Sequence, residues 1–267
     1  MNNNLKNQQG FTLIEIAVVF VILAAILAAS IYPLGAQRES SKIASSKKQL
    51  SEISEAVYGF AIAQGRLPCP TLPNSGGLSL PANPATPPNA ATNCQSYHGF
   101  VPSTTLGVDG SVNCDGLLLD AWNQPYRYSV TSVDNGAFGN AGYDDFITPG
   151  EISNVGINNL APDLQVCRNL DSNCPGSAAI DIVSSNAIAV IYSLGKPRGT
   201  SNADEDENAG ETTVASGCGL PNYATANDRF FYAAERREIV NQEFNDILVW
   251  LSPNILYAKL LQAGQLP

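Results

Sequence analysis

The chain has 267 residues, 24 acidic side chains against 14 basic ones, and a formal net charge of −10. No stripe of Lys and Arg interleaved with aromatics stands out, which argues against broad binding to a phosphate backbone and leaves nucleic acid outside the expected partners. His98, in SYHGF, is the only histidine, and there is no G-x-S-x-G elbow, Walker A loop or HExxH helix, so no enzymatic centre is expected.

Residues 1–10 form a short polar leader that contains Lys6 and ends at Gly10. Phe11 opens an apolar run to Tyr32, interrupted near its start by Glu15. About 20 such residues cross a bilayer core, so residues 11–32 are predicted to span a membrane. At roughly −0.4 kcal/mol per strongly apolar residue the run contributes about −5 kcal/mol, against about +3 for a central acid. An acid retained there needs a partner. A conventional signal peptide, cut at Ala28-Ala29-Ser30 with Lys6 as its positive region, is the rival reading. Glu15 inside its apolar core, and a helical pattern continuing past the cut, weigh against it.

The order leader, Gly10, Phe11, apolar run, Glu15 resembles the class III prepilin signal of type IV pilins and type II secretion pseudopilins. That resemblance implies cleavage between Gly10 and Phe11 by prepilin peptidase, N-methylation of Phe11, and retention of the apolar helix. It places Glu15 against the Phe11 amino terminus of a neighbouring subunit. The implied function is a structural filament subunit of a type IV pilus or type II pseudopilus. Its implied partners are other pilin or pseudopilin subunits, the peptidase, the inner-membrane assembly platform and lipid. The implied location is a single pass of the bacterial inner membrane with a periplasmic head, then the filament. The alternative is a membrane-anchored periplasmic binding or enzymatic domain that never assembles.

From Gln37 to Gln64 the pattern is that of an amphipathic helix, with Ile43, Leu50, Ile53, Val57, Phe60 and Ile62 at mostly helical intervals. Gly65 and Pro68 end it. One helix over 11–64 would be about 80 Å long at 1.5 Å per residue. Pro33 and Gly35 are expected to interrupt it, as a fixed kink or a locally unwound stretch.

Residues 65–267 are predicted to form one globular head. Its cysteines, Cys69, Cys94, Cys114, Cys167, Cys174 and Cys218, suit an oxidising compartment and up to three disulfides. Cys167 and Cys174 bracket the turn-rich CRNLDSNC and are the expected pair, while the other four leave three pairings open. Residues 66–116, rich in Pro, Gly, Asn and Ser, read as loop. Strands are expected at Tyr126–Val133, Ile180–Val183, Ala187–Leu194, Arg229–Ala234 and Ile247–Leu251, forming one antiparallel sheet with 187–194 central. Ser252-Pro253 begins a helix with Leu256, Tyr257, Leu260 and Leu261 as its apolar stripe. Asp144 and Asp145, being adjacent, read as turn residues rather than a catalytic pair. The fold class is α+β: a long N-terminal helix packed on an antiparallel sheet, with large loop insertions.

Within the head, LDAWNQPYRYSV at 119–130 resembles the D-x-W-G-x-P-Y-x-Y signature of the major pseudopilin, with Asn123 in place of glycine. YSLGKPRGTSNADEDENAGE at 192–211 resembles that family's calcium loop, with Lys196-Pro197-Arg198 where an acid is expected. GRLPCP at 65–70 and FNDILVWLSP at 244–253 resemble pilin-like proteins with larger heads. The loop resemblance implies calcium held by Asp204, Glu205, Asp206 and Asn208. The competing reading of that run, which also contains Glu207, is a solvated acidic loop.

Overall fold

The computed structural model describes residues 10–81, 94–134, 144–168, 182–197, 203–210, 212–218, 222–226, 228–237 and 243–266, without the side chains of residues 28–34 and Thr212. The chain divides into two units, Met1–Ala44 and Ser45–Pro267.

Helix α1 (Leu13–Gln64) is 52 residues long and stays helical through Pro33 and Gly35. The interruption expected at those residues is therefore not a break in the helix, although proline forfeits one backbone bond there. Among the described residues no helix is long and apolar enough to cross a membrane. The described apolar side chains end at Leu27, short of the run that the sequence carries to Tyr32.

In the second unit, α1 buries Ser46, Leu50, Ile53, Ser54, Val57, Tyr58 and Ala61. These follow three- and four-residue steps, the stripe an amphipathic helix turns to a core. Ser54 sits inside that stripe because its hydroxyl donates to the Leu50 carbonyl at 2.8 Å, which leaves no unmet polar atom. Glycine ends the helix as expected: Gly65 has a left-handed φ of 65°.

The main sheet runs β1 (His98–Phe100), β2 (Arg127–Val130), β5 (Ala189–Ser193), β9 (Ile247–Leu251), all antiparallel. Strand β5 is buried at every position and lies between β2 and β9, the central place its apolar sequence predicts. Register separates two faces. Tyr128 pairs with Ile191, and Ile191 with Val249, on one face. Arg127 pairs with Phe100 and Tyr192, and Ser129 with His98 and Val190, on the other.

Two of the strands expected in one antiparallel sheet are distributed differently. Strand β4 (Ile182–Ala187) and β8 (Phe230–Tyr232) join β3 (Leu164–Cys167) in a second sheet, and β3 pairs with β8 in parallel. A single extended segment serves both sheets, with only Ile188 between β4 and β5. The second sheet packs on the Val190–Tyr192 face of the first, through Leu164, Val166, Ala187 and Phe231, with Ala226 beside them. Tyr192 and Phe231 meet with centroids 5.7 Å apart. A hairpin of β6 (Thr212–Val214) and β7 (Tyr223–Thr225) completes the strands.

The stretch 66–116 is not loop throughout. Strand β1 and the short helix α2 (Ser103–Leu106) lie within it, and Leu67, Cys69, Phe100 and Val101 are buried. Pro and Gly dominate its composition, but Thr71 and Phe100 exchange backbone hydrogen bonds at 2.9 and 3.0 Å, which makes β1 part of a ladder. Two more short helices follow, α3 (Glu151–Val155) and α4 (Ala203–Ala209). Helix α5 (Pro253–Gln262) starts at Pro253 and buries Leu256, Tyr257 and Leu260, while Leu261 stays 47 % exposed. It is tied to α1 by Lys259–Glu55 at 3.0 Å and by the Tyr58 hydroxyl, which accepts from the Ser252 amide at 3.2 Å.

Candidate functional site

At the start of the chain, Gly10 and Phe11 precede the helix and are exposed, Phe11 to 81 %. A peptide bond outside regular structure is accessible to a protease. Glu15 lies in the first turn of α1, where a carboxylate complements the helix dipole. It does more than that. The Thr12 amide and hydroxyl donate to Glu15 Oε2 at 3.3 and 3.4 Å, and the Glu15 amide donates back to Thr12 Oγ1 at 3.3 Å. This reciprocal pattern is a capping box, and the T-x-x-E spacing that signals it stands in the sequence. Beyond it, Leu13, Ile14, Ile16, Val18, Val19 and Phe20 all stand exposed. A contiguous apolar surface of that kind marks a surface built to be covered.

The head motifs converge as a structural knot. Asp120 Oδ1 accepts the backbone amides of Trp122 and Gln124, each at 2.8 Å, and Asp120 Oδ2 accepts the Ser193 hydroxyl at 2.5 Å. Ser193 Oγ also accepts the Gly195 amide at 3.0 Å. One carboxylate thus joins LDAWNQPY to YSLG. Asn123 adopts φ 64°, the left-handed region where the resembling signature has glycine; among other residues asparagine tolerates it best. Gly195 is fixed more strictly, with φ 65° and a Cβ position that would fall 2.3 Å from the Asn245 carbonyl oxygen.

The acidic run is helix α4, not a loop. Asp204 pairs with Arg237 at 3.6 Å, and Glu205 is buried with its Oε1 accepting the Asn245 amide. Asn208 is buried too: it donates to the Tyr232 carbonyl and to Asp246 and accepts the Tyr232 amide, each at 2.8 Å. Asp206 points outward and is exposed. Among the described residues no three carboxylates of the run gather within reach of one ion; the His, Cys, Asp and Glu grouping that does is Cys114, Asp115 and Cys218. There both sulfurs are bonded to each other. Through the Asn245 amide, Tyr232 and Asp246, residues of the run brace α4 on β8 and on the segment before β9.

Two disulfides, Cys69–Cys94 and Cys114–Cys218, resolve the open pairings. Cys167 is also disulfide-bonded, and Cys174 lies outside the described residues. Beside Cys114, the Asp115 carboxylate accepts from Tyr223, Ser216 and Gly217, each at 2.8 Å. Burial opposes its charge, but those three donors hold its pKa below the usual carboxylate value. Asp144 accepts the Tyr97 hydroxyl and, through its carbonyl, the Ile147 and Thr148 amides, so it does build a turn. Burial pushes its carboxyl up.

Sequence reasoning missed Thr12 and Arg127. The first was legible as a capping box; the second shows only once β2 is assigned, as a charge at an inward position of a buried strand.

Compared with known families, residues 5–31 match the prokaryotic N-terminal methylation motif. The chain opens on a class III prepilin signal. This prepilin signal contains Gly10, Phe11, Thr12 and Glu15, and is consistent with the type IV pilins and pseudopilins. It supports a pilin-like subunit processed by prepilin peptidase. No curated protein and no solved structure matched the chain.

Proposed function

We propose that the protein is a structural subunit of a type IV pilus or type II secretion pseudopilus. Prepilin peptidase cuts between Gly10 and Phe11, and Phe11 is N-methylated. Residues 11–32 then hold the subunit in the inner membrane, with the disulfide-braced head in the periplasm, until the assembly platform extracts it. In the filament, Glu15 meets the charged Phe11 terminus of a neighbour, while the apolar helices supply most of the cohesion by packing. Away from water such a pair is worth far more than on a surface, and it fixes register because either partner alone is costly.

The observation that carries this reading is the exposed apolar face from Phe11 to Leu27, led by Glu15, directly after the peptidase signal. The capping box gives Glu15 an occupation before assembly, since its carboxylate is satisfied by Thr12 until a neighbour's terminus replaces it. A third disulfide, Cys167–Cys174, completes the bracing of the head.

Substituting Glu15→Ala in the producing cell tests the reading. The variant should be processed at Gly10 and accumulate in the membrane, yet form no filament with its partner subunits. Filaments at the unsubstituted level would remove the docking role. Intact secretion or adhesion without any filament would favour the anchored, unassembled domain.

A further inference from the structure

Arg127 carries a positive charge into the head. Its side chain lies on the sheet face shared with Phe100 and Tyr192, only 4 % exposed. The Phe100 ring covers one face of the guanidinium, with 4.8 Å from its carbon to the ring centroid. Its edges are another matter. Nε and Nη1 are buried without a hydrogen-bond partner, and among the described residues no carboxylate forms an ion pair with it. Burial drives its pKa down, while Tyr192 and Asp246 act through space in the opposite direction. Arginine nevertheless stays protonated in proteins. Buried N–H donors left unmet cost about 1–3 kcal/mol each, and more on a charged group.

Arg127 lines a cavity of about 360 Å³, within the range of small-molecule sites. Asn113 and Tyr223 stand at one wall, locked together: Asn113 Nδ2 donates to the Tyr223 hydroxyl at 2.9 Å, and Asn113 Oδ1 accepts the Asp115 and Leu117 amides. Gln124 and Asn222 stand at the rim, and their side-chain amides make no hydrogen bond among the described residues. No carboxylate is among the described lining residues. The cavity therefore offers one fixed cation inside and neutral amides around it. The cation selects an anion. The amides, each with donors and acceptors, suit hydroxyl groups, which also do both.

We propose that this cavity binds a hydroxylated carboxylate of monosaccharide size, a uronic acid, with the carboxylate on Arg127 and its hydroxyls on Gln124 and Asn222. The site lies wholly in the head and does not depend on filament assembly.

Titration calorimetry on the full-length chain in non-ionic detergent, with sodium glucuronate, glucose and sodium acetate at equal ionic strength, tests it. Glucuronate should saturate at one per chain. Glucose, lacking the charge, and acetate, lacking the hydroxyls, should each bind at least about tenfold more weakly, as expected when a charge-assisted contact or a set of neutral ones is lost. Asn222→Asp, at an exposed rim position, places a like charge at the mouth and should weaken glucuronate by about fivefold or more with the thermal midpoint unchanged. Arg127→Lys should lose most of the binding; if that variant does not fold, Asn222→Asp decides. Glucuronate that fails to saturate, binds no better than either control, or is indifferent to Asn222→Asp would overturn the proposal.

Discussion

The Asp120 carboxylate accepts the amides of Trp122 and Gln124 and the hydroxyl of Ser193. Replacing it by Ala strands two backbone amides and a hydroxyl in a buried place, so Asp120→Ala should lower stability by about 2–4 kcal/mol, read by urea unfolding. Asn123→Gly should do the reverse on a smaller scale, raising stability by a few tenths of a kcal/mol to about 1, because its φ of 64° costs glycine nothing. Both measurements ask whether Asp120 and Asn123 hold the turn of the signature. At the other end of the molecule, Thr12 is the residue whose loss separates capping from docking. Thr12→Ala removes the box and should cost about 1 kcal/mol, seen as roughly fivefold faster amide exchange in the first turn of α1. Unchanged exchange would mean that the contacts between Thr12 and Glu15 contribute nothing before assembly.

Among the elements, strand β1 carries the pH response. His98 packs beside Phe231, with centroids 6.4 Å apart, and its Nδ1 lies 3.0 Å from the Ser129 hydroxyl. Burial pushes its pKa down to about 4, and the negative fields of Asp228 and Asp163 only partly oppose this. The folded state therefore keeps His98 neutral while the unfolded chain takes a proton near pH 6.5. The stabilisation is whole above that pH and declines as pH falls towards about 4. It amounts to about 3 kcal/mol at most. His98→Phe should flatten unfolding free energy across that window; an unchanged slope would show that His98 is not the group responsible. Much at this scale was readable from sequence. Strand β5 announces itself by nearly continuous apolar character, and β9 and α5 by an apolar run followed by Ser252-Pro253. The parallel pairing of β3 and β8 was not readable, since Leu164–Cys167 is short and its partner lies far along the chain. Nor was α4: four successive acids repel in isolation, and partners far along the chain, Arg237 for Asp204 and the Asn245 amide for Glu205, offset that repulsion.

For the whole molecule, two terms hold different parts. The Cys114–Cys218 bridge spans 104 residues of sequence, so it restricts the unfolded head strongly. The double substitution Cys114→Ser with Cys218→Ser should lower head stability by about 3–5 kcal/mol in a denaturant titration. A change below about 1 kcal/mol would show that the Asp115 hydrogen bonds alone secure that corner. The apolar residues from Phe11 to Leu27 are the opposite case: among the described residues they stand exposed, a surface of the kind that a partner or a lipid phase covers. The Gly10, Phe11 and Glu15 order was legible directly, because the methylation motif is local in sequence. The cavity at Arg127 was not, because it joins β2 to β7 across a fold that composition alone does not specify. The central claim is that the apolar helix survives processing. Mass spectrometry of the mature amino terminus tests it most directly: the account predicts a chain beginning at N-methylated Phe11, and a chain beginning at Ile31 would contradict it.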